Sequence, residues 1–115
     1  MLKFLWRALE INTMYKLYVS ELAHQDLDKI VLYIAVQLAN PIGARDFLNE
    51  VDKYYGFLKD NPWMYSKCQD KRLAKKGYRK VVIKNYIIVY KIDEESDIVS
   101  ILRFFYGGQE YIKLL

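Results

Sequence analysis

The spacing of hydrophobic and polar residues changes early in the chain. Residues 15–20 alternate between the two faces of an extended segment, which predicts a short β-strand. From Ser20 onward the apolar residues recur at helical spacing, so the pattern predicts a helix that begins there. Asn40-Pro41 ends this helix, because the residue before a proline is pushed out of the helical region.

A second helix is predicted to follow at once. Pro41 suits the first turn of a helix, Asn40 suits its N-cap, and residues 41–60 carry one apolar stripe. Asn61-Pro62 stops the pattern. Two helices joined so closely predict an antiparallel hairpin, and the single apolar stripe on each helix needs a sheet to cover it.

Three further strands are predicted, at 78–83, 86–92 and 98–106. Lys84-Asn85 is expected to form a two-residue hairpin turn, because Asn tolerates a positive φ. The order β-α-α-β-β-β predicts a small α+β fold with the helix hairpin on one face of an antiparallel sheet. The first strand is expected to pair at an edge. The face away from the helices is expected to stay open enough to use, with the central strand partly shielded on that side.

Two stretches have no clear period. Residues 63–77 are expected to form a loop with one helical turn, ended by Gly77. After Gly107-Gly108, the last residues predict either a short helix or a strand. A length of 115 residues fits one domain with one core.

Positive charge is concentrated in residues 67–84, which we call the basic segment. It has eight cations against one acid, Asp70, so its charge is +7 while the whole chain is +4 and the remainder is −3. Such clustering favours a polyanionic partner over a merely solvated loop. The cations are Lys67, Lys71, Arg72, Lys75, Lys76, Arg79, Lys80 and Lys84.

Cysteine and histidine are too few for several kinds of site. The chain has one cysteine, Cys68, and one histidine, His24, which excludes a disulfide framework within the chain and argues against a zinc site. We predict no cofactor, no metal and a cytoplasmic location. Residues 1–13 are too short and too often charged for a membrane span. They are interpreted as an N-terminal extension or an upstream-start artefact, with the domain at 14–115.

The candidate chemistry lies on the predicted strands. Arg103 interrupts an apolar strand, so it either pairs with a helix carboxylate such as Glu50 or Asp52, or is held ready for a polyanion. Tyr106 and Tyr111 flank this position. Arginine, lysine and tyrosine are chemically sufficient for metal-free RNA cleavage, although the pattern does not require that activity.

Four stretches together resemble one known family. They are the first strand, "NPIGARDFLNEV", "KGYRKVVIKNYIIVYKID" and "VSILRFFYGGQEYIKLL", and their order over residues 15–115 is similar to the RelE/ParE superfamily of type II toxin–antitoxin toxins. The resemblance implies the small α+β fold predicted above. It also implies bacterial growth arrest, neutralised by an antitoxin, through either ribosome-dependent mRNA cleavage or inhibition of DNA gyrase.

The resemblance also suggests roles for individual residues. Arg79 and Lys80 match the basic position on the first hairpin strand of the nuclease branch, and the last strand of some members of that branch reads Arg-Tyr-His-Tyr. Here that strand reads Arg-Phe-Phe-Tyr from Arg103 to Tyr106, so Phe105 replaces the histidine. The gyrase branch commonly ends "LRVxHGRRDY", and the corresponding segment here is "LRFFYGGQEY". This segment keeps the first arginine as Arg103, the glycine as Gly107 and the final tyrosine as Tyr111, and has Tyr106 in place of the histidine.

The resemblance and the charge pattern together define the expected site. The candidate catalytic residues are Arg79, Arg103 and Tyr106, and the candidate target-binding residues are Lys71, Arg72, Lys75, Lys76, Lys80, Lys84 and Tyr111. The expected partners are an antitoxin and either the ribosome with mRNA or gyrase, without a membrane, in a homodimer or a hetero-oligomer with antitoxin. The alternative is a non-toxic nucleic-acid-binding or protein-interaction module on the same fold.

Overall fold

The computed structural model describes residues 15–109 and 111–115, so the predicted extension at 1–13 lies outside the described residues. Four strands and three α-helices make up the regular structure, with a π-helical turn at Tyr33–Gln37 and 3₁₀ turns at Pro62–Met64 and Tyr111–Leu114. The elements are β1 (Lys16–Val19), α1 (Glu21–Leu32), α2 (Pro41–Asp60), α3 (Lys71–Lys75), β2 (Arg79–Ile83), β3 (Tyr86–Asp93) and β4 (Ile98–Tyr106).

The sheet has the order β1-β4-β3-β2 and is mixed. The pairs β2–β3 and β3–β4 are antiparallel, but β1 runs parallel to β4. The α+β class and the edge position of β1 are confirmed, whereas the expectation of a purely antiparallel sheet was wrong. Alternation of side chains is the same in parallel and antiparallel strands, so the sequence pattern carries no information on strand direction.

The helix hairpin begins and turns where the sequence predicts. The Ser20 hydroxyl accepts a hydrogen bond from the Ala23 amide at 3.0 Å and so caps α1. At the turn, the side chain of Asn40 accepts from the Gly43 amide at 2.9 Å, and Pro41 is the first residue of α2. The predicted first helix was continuous to Asn40, but regular α-helix ends at Leu32 and a π-helical turn follows.

The main core lies between the helix hairpin and the sheet. From the helices it takes Ala23, Phe47, Val51 and Leu58, and from the strands Val81, Ile83, Ile88, Tyr90, Val99, Ile101 and Phe104. Tyr90 is fully buried, and its hydroxyl donates to the Pro62 carbonyl at 2.7 Å. This bond fixes the turn after α2 to the central strand and satisfies the one polar group of a large core side chain.

The opposite face of the sheet is partly covered, so the central strand is partly shielded there as expected. Ile87, Val89 and Phe105 form a second small buried cluster there, packed against Tyr78, Tyr111 and Leu115. The Tyr111 ring stacks on Phe105 with centroids 5.5 Å apart. The C-terminal segment, a 3₁₀ turn, therefore returns across this face because three apolar strand residues need cover.

The β2–β3 hairpin turn is confirmed, but the residue with positive φ differs from the prediction. Lys84 adopts φ 54°, whereas Asn85 was expected to take the left-handed conformation. The Asn85 carbonyl instead accepts a hydrogen bond from the Gly107 amide at 2.7 Å, which ties the turn to the end of β4. A side chain at Gly107 would approach that carbonyl to 3.1 Å, so the small residue fits this close contact.

The fold predicts a specific cost for removing the Ser20 hydroxyl. Besides capping α1, this hydroxyl donates to the Leu102 carbonyl at 2.8 Å, so Ser20→Ala loses both bonds. We expect the free energy of unfolding, measured in urea, to fall by about 1–2 kcal/mol. Ser66→Ala, at an exposed position, is the control and should change it by less than about 0.5 kcal/mol. Equal losses in both variants would contradict the dual role of Ser20.

Candidate functional site

Most cations of the basic segment are exposed because a short helix turns them outward. Asp70 caps α3 by accepting from the Leu73 amide at 3.0 Å, and Leu73 is fully buried. With Leu73 pointing inward, four cations of α3 and its C-cap are exposed to solvent, namely Lys71, Arg72, Lys75 and Lys76. The expectation of one helical turn between 63 and 77 is therefore confirmed, and the turn presents a cationic surface.

The C-terminal segment lies against this cationic surface. Arg72 donates through Nη2 to the Ile112 carbonyl at 3.0 Å, at an exposed position. Tyr111, predicted to contact the target, is half-buried in its stack on Phe105. The structure thus gives Tyr111 a packing contact, and it brings the tail and α3 together on one side of the molecule.

Arg79 is directed into the fold rather than toward solvent. Its guanidinium lies over the Trp63 ring at 4.9 Å from the centroid, and Nη1 donates to the Tyr65 carbonyl. Both contacts hold the charge where it is partly desolvated and compensated. Sequence reasoning missed Trp63, whose indole also donates to the Tyr15 hydroxyl at 2.9 Å. The Asn61-Pro62 stop was the only sequence signal that the chain turns here.

Arg103 forms a two-point ion pair with Asp26 of α1. Nε is 2.7 Å from Oδ2 and Nη2 is 3.1 Å from Oδ1, with 23% and 13% of the side chains exposed. The hydrogen bonds to Asp26 raise the pKa of Arg103 above its usual value. A salt bridge to a helix carboxylate was one of two predicted outcomes, but naming Glu50 or Asp52 as its acceptor was wrong.

Asp26 also accepts a hydrogen bond from a backbone amide at the edge of the sheet. Its Oδ2 accepts from the Phe104 amide at 3.0 Å. Because β1 pairs with β4 only as far as Ile101, the remaining half of β4 has no neighbouring strand on that side. The helix that leaves β1 passes beside this bare edge and supplies the acceptor. The sequence shows an acid on α1, but it does not show that β1 is too short to pair with the second half of β4.

Tyr106 lies at the end of the sheet farthest from Arg79. In the register, Tyr86 faces Tyr106 whereas Tyr90 faces Arg79, so about 13 Å of strand separates the two levels. Arg103 faces Val89 and therefore lies on the sheet face opposite to Arg79. The three predicted catalytic residues are consequently distributed over both faces and both ends of the sheet.

Two clefts meet at Tyr106, which is 58% exposed. One has a volume of about 480 Å³ and lies between the end of α1 and the sheet, lined by Lys29, Ile30, Tyr33, Leu38, Tyr86 and others. The other, of about 360 Å³, includes Val82 and Lys84. Lys80 is half-buried on the same side of β2 as Val82. Of the two predicted binding residues Lys80 and Lys84, Lys84 lines a cleft at Tyr106 and Lys80 lines neither of these clefts.

Burial raises the pKa of two tyrosines and of the cysteine. Burial, with the nearby Tyr33 and Tyr106 hydroxyls, raises the pKa of Tyr86. Burial raises the pKa of Tyr55 to about 12. The Cys68 thiol is buried, and burial raises its pKa despite the opposing effect of Lys80. None of these groups is therefore poised to lose a proton near neutral pH.

Two surveys of the described residues bear on other functions. Within 15–109 and 111–115, no three His, Cys, Asp or Glu side chains are grouped so as to hold a metal ion. None of the described helices combines the length and the hydrophobicity that a bilayer span requires.

The ion pair generates a stability prediction. Asp26→Ala removes the acceptor of Phe104 and leaves the Arg103 charge unpaired in a half-buried position, so unfolding in urea should become easier by about 2–3 kcal/mol. Asp28→Ala changes an exposed acid of the same helix and should cost less than about 0.5 kcal/mol. A near-neutral Asp26→Ala would show that the pair contributes nothing to stability.

Comparisons with known proteins place this geometry in one family. The model of the ParE toxin of the type II toxin–antitoxin system parDE matches residues 17–111. No curated protein sequence matches the chain.

Three solved structures are similar in fold. The RelBE2 toxin–antitoxin complex of Mycobacterium tuberculosis has a TM-score of 0.59 and 21% identity, covering 82% of this chain and 99% of its own. The chromosomal ParDE system of P. aeruginosa has a TM-score of 0.65 and 18% identity, covering 81% of this chain and 96% of its own. The archaeal RelE–RelB complex of Pyrococcus horikoshii has a TM-score of 0.55 and 13% identity, covering 84% of this chain and 99% of its own. Since the family model spans most of the chain, the protein belongs to the ParE toxin family of type II toxin–antitoxin systems.

Proposed function

We propose that this protein arrests growth by binding DNA gyrase, and that a cognate antitoxin neutralises it in the cytoplasm. The family match supports the toxin role, and the similar folds occur in toxin–antitoxin systems. The choice of gyrase over mRNA rests on the way in which the site residues are already engaged. The expected endonuclease chemistry needs them free and close together.

The engaged arginines carry this proposal. Cleavage of a phosphodiester needs a base, an acid and a cation that converge on one phosphate. Arg79 is held by Trp63 and Tyr65, and Arg103 by Asp26. The position where nuclease relatives carry histidine is Phe105, which is buried and contacts Tyr111. This arrangement favours inhibition by binding over catalysis by the toxin itself.

The antitoxin is proposed to dock on the cationic surface of α3. Lys71, Lys75 and Lys76 are exposed and lie together on a helix of five residues and its cap. An acidic segment would be steered to this surface and would pair with it at modest cost, because the amines remain partly hydrated. The salt bridges would contribute mainly to the association rate and to specificity.

A purified enzyme assay tests the target. With increasing amounts of the protein, we expect gyrase to stop supercoiling plasmid DNA and cleaved DNA to accumulate, while mRNA on programmed ribosomes stays intact. Addition of the antitoxin should reverse the inhibition, which controls for contaminating nucleases. Cleaved mRNA together with unaffected gyrase would contradict the proposal and favour the nuclease alternative.

A charge-matched pair of variants tests the antitoxin surface. Lys71→Gln/Lys75→Gln should slow association with the antitoxin by about tenfold at low salt and flatten its dependence on ionic strength. Lys16→Gln/Lys59→Gln removes the same two charges at exposed positions of β1 and α2, and should leave the rate within about twofold of wild type. Stopped-flow fluorescence at several salt concentrations gives both rates. Equal slowing in the two variants would attribute the effect to net charge alone.

A further inference from the structure

The tip of the helix hairpin is uncharged. Residues 30–44, which we call the hairpin tip, include the end of α1, the π-helical turn and the start of α2, and contain no Asp, Glu, Lys, Arg or His. Surfaces of monomeric proteins usually carry about a quarter to a third charged residues. A fifteen-residue stretch without charge is expected either to be buried within the fold or to be covered by a binding partner.

The hairpin tip is not buried within the fold. Ile30, Val31 and Ile34 pack against the core, but the other five large apolar side chains are between 50% and 67% exposed, and they are Leu32, Tyr33, Val36, Leu38 and Ile42. They lie at the π-helical turn, at the connection that contains Ala39 with its positive φ, and at the adjoining ends of the two helices. At roughly 100 Å² for each side chain, the ridge exposes about 500 Å² of apolar surface, near the upper end for a monomer.

A concave surface lies directly beside this ridge. The cleft of about 480 Å³ between α1 and the sheet shares Tyr33 and Leu38 with the ridge and is floored by Ile30, Tyr86 and Tyr106. Lys29 is the one charged side chain among the described residues that line it. An exposed apolar ridge and a cleft lined mainly by aliphatic and tyrosine side chains, with Lys29 and Asn85, therefore adjoin.

We propose that two copies of this protein associate through their hairpin tips about a two-fold axis, with the ridge of each copy in the cleft of the other. An isologous contact requires a surface that is complementary to itself, and adjoining ridge and cleft satisfy that requirement. This inference goes beyond the proposed function and does not rest on it.

Charge and area favour a second copy over a charged partner. The exposed cations of α3 lie toward the level of Arg79 and Tyr90, at the other end of the sheet from Tyr86 and Tyr106, so an acidic partner bound to α3 would leave the tip free. Homodimer interfaces are more apolar than other interfaces. Burial of both ridges and both clefts amounts to about 1,000–1,200 Å², the low end for a specific interface, so the dimer should dissociate in the micromolar range.

Sedimentation velocity of the purified full chain from about 1 to 200 μM tests the proposal. We expect the sedimenting mass to rise from that of a monomer to twice that value across this range. The acidic-tip variant Val36→Asp/Leu38→Asp and the basic-tip variant Val36→Lys/Leu38→Lys should each remain monomeric, because like charges then face each other. A mixture of the two variants should associate again, since opposite charges meet only if one tip contacts the other.

A matched control separates the tip from general effects of added charge. Leu22→Asp changes a 53% exposed side chain on α1, about 15–20 Å from the tip, and should dimerise as the wild type does. All altered positions are at least half exposed, and the circular dichroism spectrum and Tm confirm folding. A wild type that stays monomeric at 200 μM overturns the proposal. So does a dimer that survives both tip variants, or a pair of variants that fails to associate on mixing. Gyrase inhibition is read separately, so neither result determines the other.

Discussion

The contact between the Asp26 carboxylate and the uncovered edge of β4 determines how the two layers of this protein fit together. β1 is only four residues long and pairs with the first half of β4. Beyond it, side chains replace a neighbouring strand: Ser20 donates to the Leu102 carbonyl, Asp26 accepts from the Phe104 amide, and Gln109 accepts from the Tyr106 amide at 3.3 Å. The sheet edge is satisfied without a fifth strand, and α1 is thereby fixed across it.

This contact also decides what Arg103 does. A guanidinium on an apolar strand needs a partner, and the carboxylate that already serves the strand edge accepts from it at two points. Arg79 is compensated in a different way, by an aromatic ring and a carbonyl after α2. The cations of α3 form an exposed cluster, whereas the hairpin tip at the other end is uncharged and exposes five large apolar side chains. The described part of the fold therefore presents two separate exposed surfaces, one cationic and one apolar.

Much of the fold follows from local sequence, and the exceptions share a physical cause. Asn40-Pro41 and Asn61-Pro62 act on their own neighbours, so the bounds of α2 are predictable from the residues alone. The parallel pairing of β1, the Asp26–Arg103 pair and the return of Tyr111 over Phe105 depend on elements far apart in the chain. Lys84 takes the left-handed conformation although Asn85 is the better residue for it, and the Asn85 carbonyl accepts a hydrogen bond from the distant Gly107 amide.

Hydrogen exchange at the Phe104 amide tests the role of Asp26 most directly. This amide lies on the half of β4 that has no strand beside it, so its protection in the native state reports the carboxylate contact alone. The account predicts protection comparable to that of amides paired within the sheet, and its loss in Asp26→Ala while the β2–β3 amides remain protected. Exchange of the Phe104 amide at the rate of a solvent-exposed amide in the wild type would contradict it.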